Sequence, residues 1–404
     1  MNNPRTLLLV ALFALSYLIW SQWQLDYNPQ AQATTVEDSA TPQPAKPAAS
    51  PPVDDVPEIG KLQSGNAVEA PPLAEATPPT SQPILVTTDV LRVEIDPRGG
   101  SLVSAELLAY PQQQGSSEPV RLLDDEAARY FVAQSGLLSS DGAAPNHQAE
   151  FTTSSRNWTL ANGQNRIEVP LTWQDASGIQ VRKTLVFERG SYVIGMQQQV
   201  RNASAKPWTG QAYRQLQRIP LVLDSSGIKG YTNTERYSFM GAAWYSPEEK
   251  FQKLAFDKFQ GEPLKQTVSG GWVAMLQHYF FAAWIPPANE VDEFSSAQVA
   301  AADGTRYVMR SFSPALSIQP GTEQTFSARL YVGPKLQSTL DDLAPGLSKT
   351  ADYGVFTVIS EPLHWLLSMF HKLTGNWGFA IILLVLLIKA VFFKLSEAQY
   401  RSMA

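Results

Sequence analysis

The chain has 404 residues, of which 44% are hydrophobic and 17% charged, and its net charge is −6. That length allows more than one cooperative unit, and the mild negative charge argues against nucleic acid as a partner. The absence of cysteine excludes disulfides, thiolate metal sites and cysteine nucleophiles. The four histidines, His147, His278, His364 and His371, show no ligand spacing such as HExxH, so no metal site is expected.

Residues 1–25 read as an amino-terminal signal anchor. Thr6 to Leu25 carries no charge, and these 20 residues at about 1.5 Å each could cross a hydrocarbon core of roughly 30 Å. Arg5 precedes the run and Asp26 follows it, which places the amino terminus in the cytoplasm. The rival reading is a cleaved signal peptide, with Ala31-Gln32-Ala33 as the cleavage site. Against it, Trp20, Trp23 and Tyr27 intervene and suit an interfacial belt.

Residues 26–83 read as a disordered Pro/Ala-rich linker. Prolines cluster between Pro42 and Pro79, and no aromatic residue follows Tyr27 before Gln82. Such a segment buries too little apolar surface to offset its ordering entropy. Docking of a Pro-recognising partner is the functional alternative, but no PxxP with flanking basic residues stands out.

Residues 84–335 carry the pattern of strands. Leu91, Val93 and Ile95 alternate with Arg92 and Glu94, and Asp96 to Gly100 then turns the chain. Asn162-Gly163 signals a hairpin. Ile167, Val169, Leu171 and Trp173 alternate cleanly, Ser177-Gly178 turns, and Ile179, Val181 and Lys183 continue the period. Gly190 turns again before Tyr192, Ile194 and Met196. The expectation is a meandering antiparallel all-β domain, a sandwich of extended or doubled sheets. Asp224, Glu235, Glu248, Glu249 and His278 are acid-base candidates by type alone, with no spacing that specifies chemistry. Trp208, Trp244 and Trp272 could line a sugar site or pack in the core.

Residues 336–374 read as connecting and interfacial amphipathic helices. Leu336 to Gly346 forms a short helix, and Ser360 with Pro362 looks like the start of the next. Leu363, Leu366, Leu367 and Phe370 then fall at helical spacing, which suits a helix lying in the membrane interface or packed on the β domain. Residues 375–396 read as a second transmembrane helix, and 397–404 as the start of a cytoplasmic region. Trp377 to Phe393 is apolar except at Lys389, and its 17 residues rise about 25 Å. Lys394 and Arg401 place its carboxyl end in the cytoplasm. A lysine at that depth costs roughly 2.5–3.5 kcal/mol, so Lys389 faces a polar cavity or an anionic partner, or else snorkels to the headgroups.

Several of these stretches carry a family resemblance. GNWGFAIILLVLLIKAVFFKLSEAQYRSMA resembles the second span and early cytoplasmic segment of YidC-type membrane protein insertases. RGGSLVSAELLAYP, FMGAAWYSPEEK, GWVAMLQHYFFAAWIP and DYGVFTVISEPLHWLL resemble the periplasmic domain and interfacial helix of the Gram-negative form. The matches span the chain in the right order. The resemblance implies a bacterial inner-membrane, multi-pass protein that is not an enzyme and inserts and folds nascent inner-membrane proteins in the lipid bilayer. It acts alone or with the Sec translocon and its accessory subunits, and its regions beyond this chain could meet the ribosome. It further implies a mutarotase-like β-supersandwich in the periplasm and a positively charged intramembrane groove. Lys389 matches the groove cation, which is often arginine in the family; lysine keeps the charge and loses the planar fork. The family continues with three more spans, so the chain is expected to be an amino-terminal fragment. Two alternatives rest on the β domain alone: a tethered carbohydrate-binding or mutarotase-like domain, and a module that docks translocon partners.

Overall fold

The computed structural model describes residues 82–113, 115–140, 143–221, 238–301, 304–351, 357–394, 397 and 399. The expected first span, nearly all of the linker, and Asp224 and Glu235 lie outside the described residues, as do most of residues 397–404.

Nineteen strands and four α-helices follow in order among the described residues. The first seven strands are β1 (Ile84–Thr87), β2 (Leu91–Asp96), β3 (Ser101–Pro111), β4 (Pro119–Leu123), β5 (Phe131–Ser139), β6 (Asn157–Thr159) and β7 (Arg166–Gln174). Next come β8 (Ile179–Glu188), β9 (Val193–Asn202), β10 (Trp208–Arg218), β11 (Gly241–Ser246), β12 (Lys250–Leu254) and helix α1 (Lys258–Gly261). The last strands are β13 (Lys265–Ser269), β14 (Trp272–Leu276), β15 (Phe280–Ile285), β16 (Val291–Ala301), β17 (Gly304–Phe312), β18 (Leu316–Ile318) and β19 (Glu323–Pro334). Helix α2 (Gln337–Leu343), a 3-10 turn (Leu347–Thr350), α3 (Thr357–Thr374) and α4 (Trp377–Val391) close the chain.

The strands form two sheets. One has 11 strands along the path β13-β16-β17-β10-β5-β3-β2-β1-β6, with β18 on β10 and β4 on β3. The other has eight, in the order β12-β11-β14-β15-β19-β9-β8-β7. A single apolar core joins them, from Ile84, Val93 and Leu216 on the first to Val169, Leu185 and Met275 on the second. Each large aliphatic side chain fully buried there contributes about 1.5–3 kcal/mol.

Alternation builds this core directly. In β2, Leu91, Val93 and Ile95 are buried while Arg92 is exposed, and β7 repeats the pattern with Ile167, Val169 and Leu171. Strands β11, β14 and β15 lose the alternation because both their faces are covered. Trp244, Val273 and Met275 point into the sandwich. Tyr245, Trp272 and Ala274 point outward, under Leu340, Ala344 and Leu347 of α2 and the 3-10 turn. The Trp272 indole N–H donates to the Pro345 carbonyl at 3.0 Å, pinning that connection to the sheet.

Two sequence expectations need correction. Asn162-Gly163 does turn the chain, but it joins no hairpin. Strand β6 pairs in parallel with β1, and β7 starts the other sheet on β8, so the turn carries the chain between sheets. Helix α3 begins at Thr357, so Ser360 and Pro362 lie inside it rather than at its start.

Candidate functional site

Helices α3 and α4 form a hairpin. Gly375, with φ of 65°, supplies the left-handed residue that ends α3. Asn376 caps α4, its side-chain oxygen accepting from the amides of Gly378 at 2.8 Å and Phe379 at 3.4 Å. The His371 ring stacks on Trp377 across the turn, with centroids 3.9 Å apart. Helix α4 covers 15 residues, a rise of about 22 Å, and tightens at Phe392, whose amide bonds both Ala390 and Ile388 carbonyls. Among the described residues no helix is long and apolar enough to cross a membrane.

The surface of α4 is nonetheless almost wholly apolar and uncovered. Ile382 is 56% exposed, Leu386 57% and Val391 68%, and only Ala380 is buried. Lys389 stands exposed in this surface. Its neighbours one turn away, Val385, Leu386, Phe392 and Phe393, are exposed hydrophobics. Lys389 forms no ion pair among the described residues, whereas Lys394 reaches Glu397 at 3.9 Å.

The β domain treats its candidates differently. Glu248 and Glu249 are solvated at the β11–β12 tip, beside Lys250 with its φ of 62°. His278 contacts Ser238 and packs edge-on against Tyr279. His147 is buried, with Nδ1 2.6 Å from the Tyr213 hydroxyl. His364 and His371 lie on α3, far in sequence from either. No cluster of three metal-binding side chains occurs among the described residues. Trp208, Trp244 and Trp272 are 2%, 6% and 0% exposed, so they build the core and offer no sugar platform.

Sequence reasoning missed three buried cations. Lys183 is fully buried, and its ammonium donates to the carbonyls of Gly99 at 2.7 Å and Ser135 at 3.1 Å, tying one sheet to the other. Gly99 has φ of 75°, and a Cβ there would overlap the His147 backbone. Burial pushes Lys183 down to about 7. Arg214 bonds Asp292 at 2.8 Å, Glu290 at 2.9 Å and the Ser327 carbonyl at 3.0 Å. Burial raises Asp292, while the Arg214 charge opposes that rise. Arg218 lies over the Phe131 ring at 4.7 Å, and burial lowers it to about 10. One signal was available for Lys183: it sits in phase with Ile179 and Val181 on the inward face.

A groove of about 730 Å³ was also invisible in the sequence. It lies on the outer face of β7, β8 and β9, with Glu150 and Thr152 on one rim and Glu323 on the other. Cross-strand register assembles it: Gln180 pairs with Arg201, Arg182 pairs with Gln199, and Thr172 pairs with Arg182.

Residues 83–366 match the family model described as the YidC periplasmic domain. Along its whole length the chain is 42% identical to the membrane protein insertase YidC of Methylococcus capsulatus, covering 71% of that protein. The chain belongs to the YidC family. Its YidC relative in Thioalkalivibrio sulfidiphilus is 39% identical, again over 100% of this chain and 71% of the relative. These YidC relatives are named as insertases and not as enzymes. Among solved structures, a galactose mutarotase related enzyme from Lactobacillus acidophilus is similar at 10% identity and a TM-score of 0.42, covering 62% of this chain and 97% of that one. Nothing about sugar chemistry follows from a likeness that weak.

Proposed function

We propose that this chain performs the insertase function of its family, bringing nascent inner-membrane proteins into the bilayer. The observation that carries this reading is 42% identity along the whole of this chain to a named insertase, 71% of which it covers. In the reading, residues 1–25 and 375–396 cross the inner membrane, with the amino terminus cytoplasmic and residues 84–335 periplasmic as a mutarotase-like supersandwich. The uncovered apolar surface of α4 supports contact with lipid or with an apolar client. Residues 336–374 lie along the interface, and 26–83 link the first span to the β domain. In this reading the protein acts alone or beside the Sec translocon.

Lys389 is the working residue of the membrane part. A cation among Val385, Leu386, Phe392 and Phe393 lowers the desolvation cost of an acidic client segment entering the bilayer. The client then slides onto the apolar surface. No bond is made or broken and no cofactor takes part. The test places the full-length protein in proteoliposomes and follows insertion of an acidic-tailed client by protease protection. Lys389→Glu is expected to lose most insertion and Lys389→Arg to retain it; unimpaired insertion by the Glu variant would remove the charge-pairing mechanism.

A further inference from the structure

Only Gly375 and Asn376 separate α3 from α4. His371, in the last turn of α3, holds that connection twice. Its carbonyl accepts from the Gly375 amide at 2.7 Å. Its imidazole lies over the Trp377 indole, 12° from parallel with ring centroids 3.9 Å apart. The Thr374 hydroxyl adds a third tie, donating to the Phe370 carbonyl at 2.9 Å. Backbone bonds and caps fix where each helix ends or begins. The ring stack does something else: it joins side chains of the two helices, so it resists turning one against the other.

Trp377 is 51% exposed, so the imidazole covers part of the indole and the rest stays open. A tryptophan at the start of a span has a simpler reading, an anchor in the headgroups that needs no partner. Such an anchor sets the depth of the helix and leaves its azimuth free. A flat ring stacked on it from α3 sets both.

The constraint is carried along α4 to Lys389. Lys389 stands 12 residues beyond Trp377, hence about 18 Å along the axis and roughly a third of a turn round. Pivoting α4 at the turn by about 20°, an ordinary tilt for a span, would move Lys389 by about 6 Å. An ion pair forms over roughly 4 Å, so a pivot of that size takes Lys389 away from a carboxylate held in place.

We propose that His371 is a positioning residue: its stack on Trp377 locks the α3–α4 turn and so holds Lys389 where an acidic client segment meets it. The action on the client rests on the insertase reading of Lys389, whereas the lock does not.

The chain has no cysteine, so Ile359→Cys and Val391→Cys take spin labels cleanly in the full-length protein held in nanodiscs. Both positions are exposed and lie toward the far ends of the two helices. Val391 is about 200° round α4 from Lys389, so the label points away from it. Pulsed electron–electron resonance should give one narrow distance between the labels. His371→Ala and Trp377→Leu are each expected to widen that distribution about twofold, and His371→Phe, which keeps a flat ring, to restore it. Alanine is a better helix former than histidine, so the widening does not come from a weakened α3. In proteoliposomes His371→Ala should insert an acidic-tailed client about threefold more slowly, and in a Lys389→Ala background it should add no further loss. Unchanged distances in His371→Ala and Trp377→Leu would overturn the lock. Losses that multiply in the double variant would overturn its action through Lys389. Wild-type insertion by Lys389→Ala would remove the insertase reading beneath that action, and the distances would still decide the lock.

Discussion

The β domain and the helical hairpin each place cations in apolar surroundings, and they resolve them in opposite ways. Lys183, Arg214 and Arg218 are enclosed, and each is answered by carbonyls, carboxylates or a ring of the same chain. Lys389 is exposed on an apolar surface with no carboxylate of its own among the described residues. A buried cation that is satisfied internally holds sheets together. One left unanswered on a surface that itself wants covering is available to a partner.

The largest effect expected within the β domain is at Arg214. Arg214→Ala leaves Asp292 enclosed without its cation, and unfolding followed by tryptophan fluorescence should show a loss of about 3–5 kcal/mol. A loss under about 1 kcal/mol would mean that the network is dispensable. Next is the outer layer: Leu340→Ala removes the fully buried side chain by which α2 packs on the sheet and should lose about 2–4 kcal/mol in the same assay.

Lys183 gives a pH signature. Its proton is held at about 7 in the folded chain and at the ordinary lysine value of 10.5 when unfolded. Between those limits the unfolded state binds more protons, so stability rises with pH, by up to about 1.4 kcal/mol per unit. The gain is complete above the unfolded value and is lost as pH falls toward about 7. In Lys183→Met this slope should vanish from denaturant midpoints; an unchanged slope would assign it to other groups. The smallest effect belongs to the exposed tip, where Glu249→Gln should change stability by less than about 0.5 kcal/mol.

The strands were legible where burial is one-sided. Leu91-Val93-Ile95 and Ile167-Val169-Leu171 declare their inward face because their neighbours stay in water. Asn162-Gly163 misled because a turn's chemistry is local, whereas the sheet that the next strand joins is decided by long-range pairing. Pro362 misled for a related reason: it is most at home in a first helical turn, but α3 carries it further in. The groove could not be read at all, since Gln180, Arg182, Gln199 and Arg201 become neighbours only through β8–β9 register. Lys389 stood out because it alone interrupts a run of apolar residues, a signal that needs no tertiary information.

Insertion per folded molecule, measured side by side for Lys183→Met and Lys389→Ala in full-length protein, tests the contrast between the two cations most directly. Lys183→Met should unfold more easily yet insert an acidic-tailed client at the wild-type rate once corrected for folded protein. Lys389→Ala should keep the wild-type unfolding midpoint and insert about tenfold more slowly, equivalent to ~1.4 kcal/mol. Wild-type insertion by Lys389→Ala, or an unfolding midpoint that drops as far as that of Lys183→Met, would contradict it.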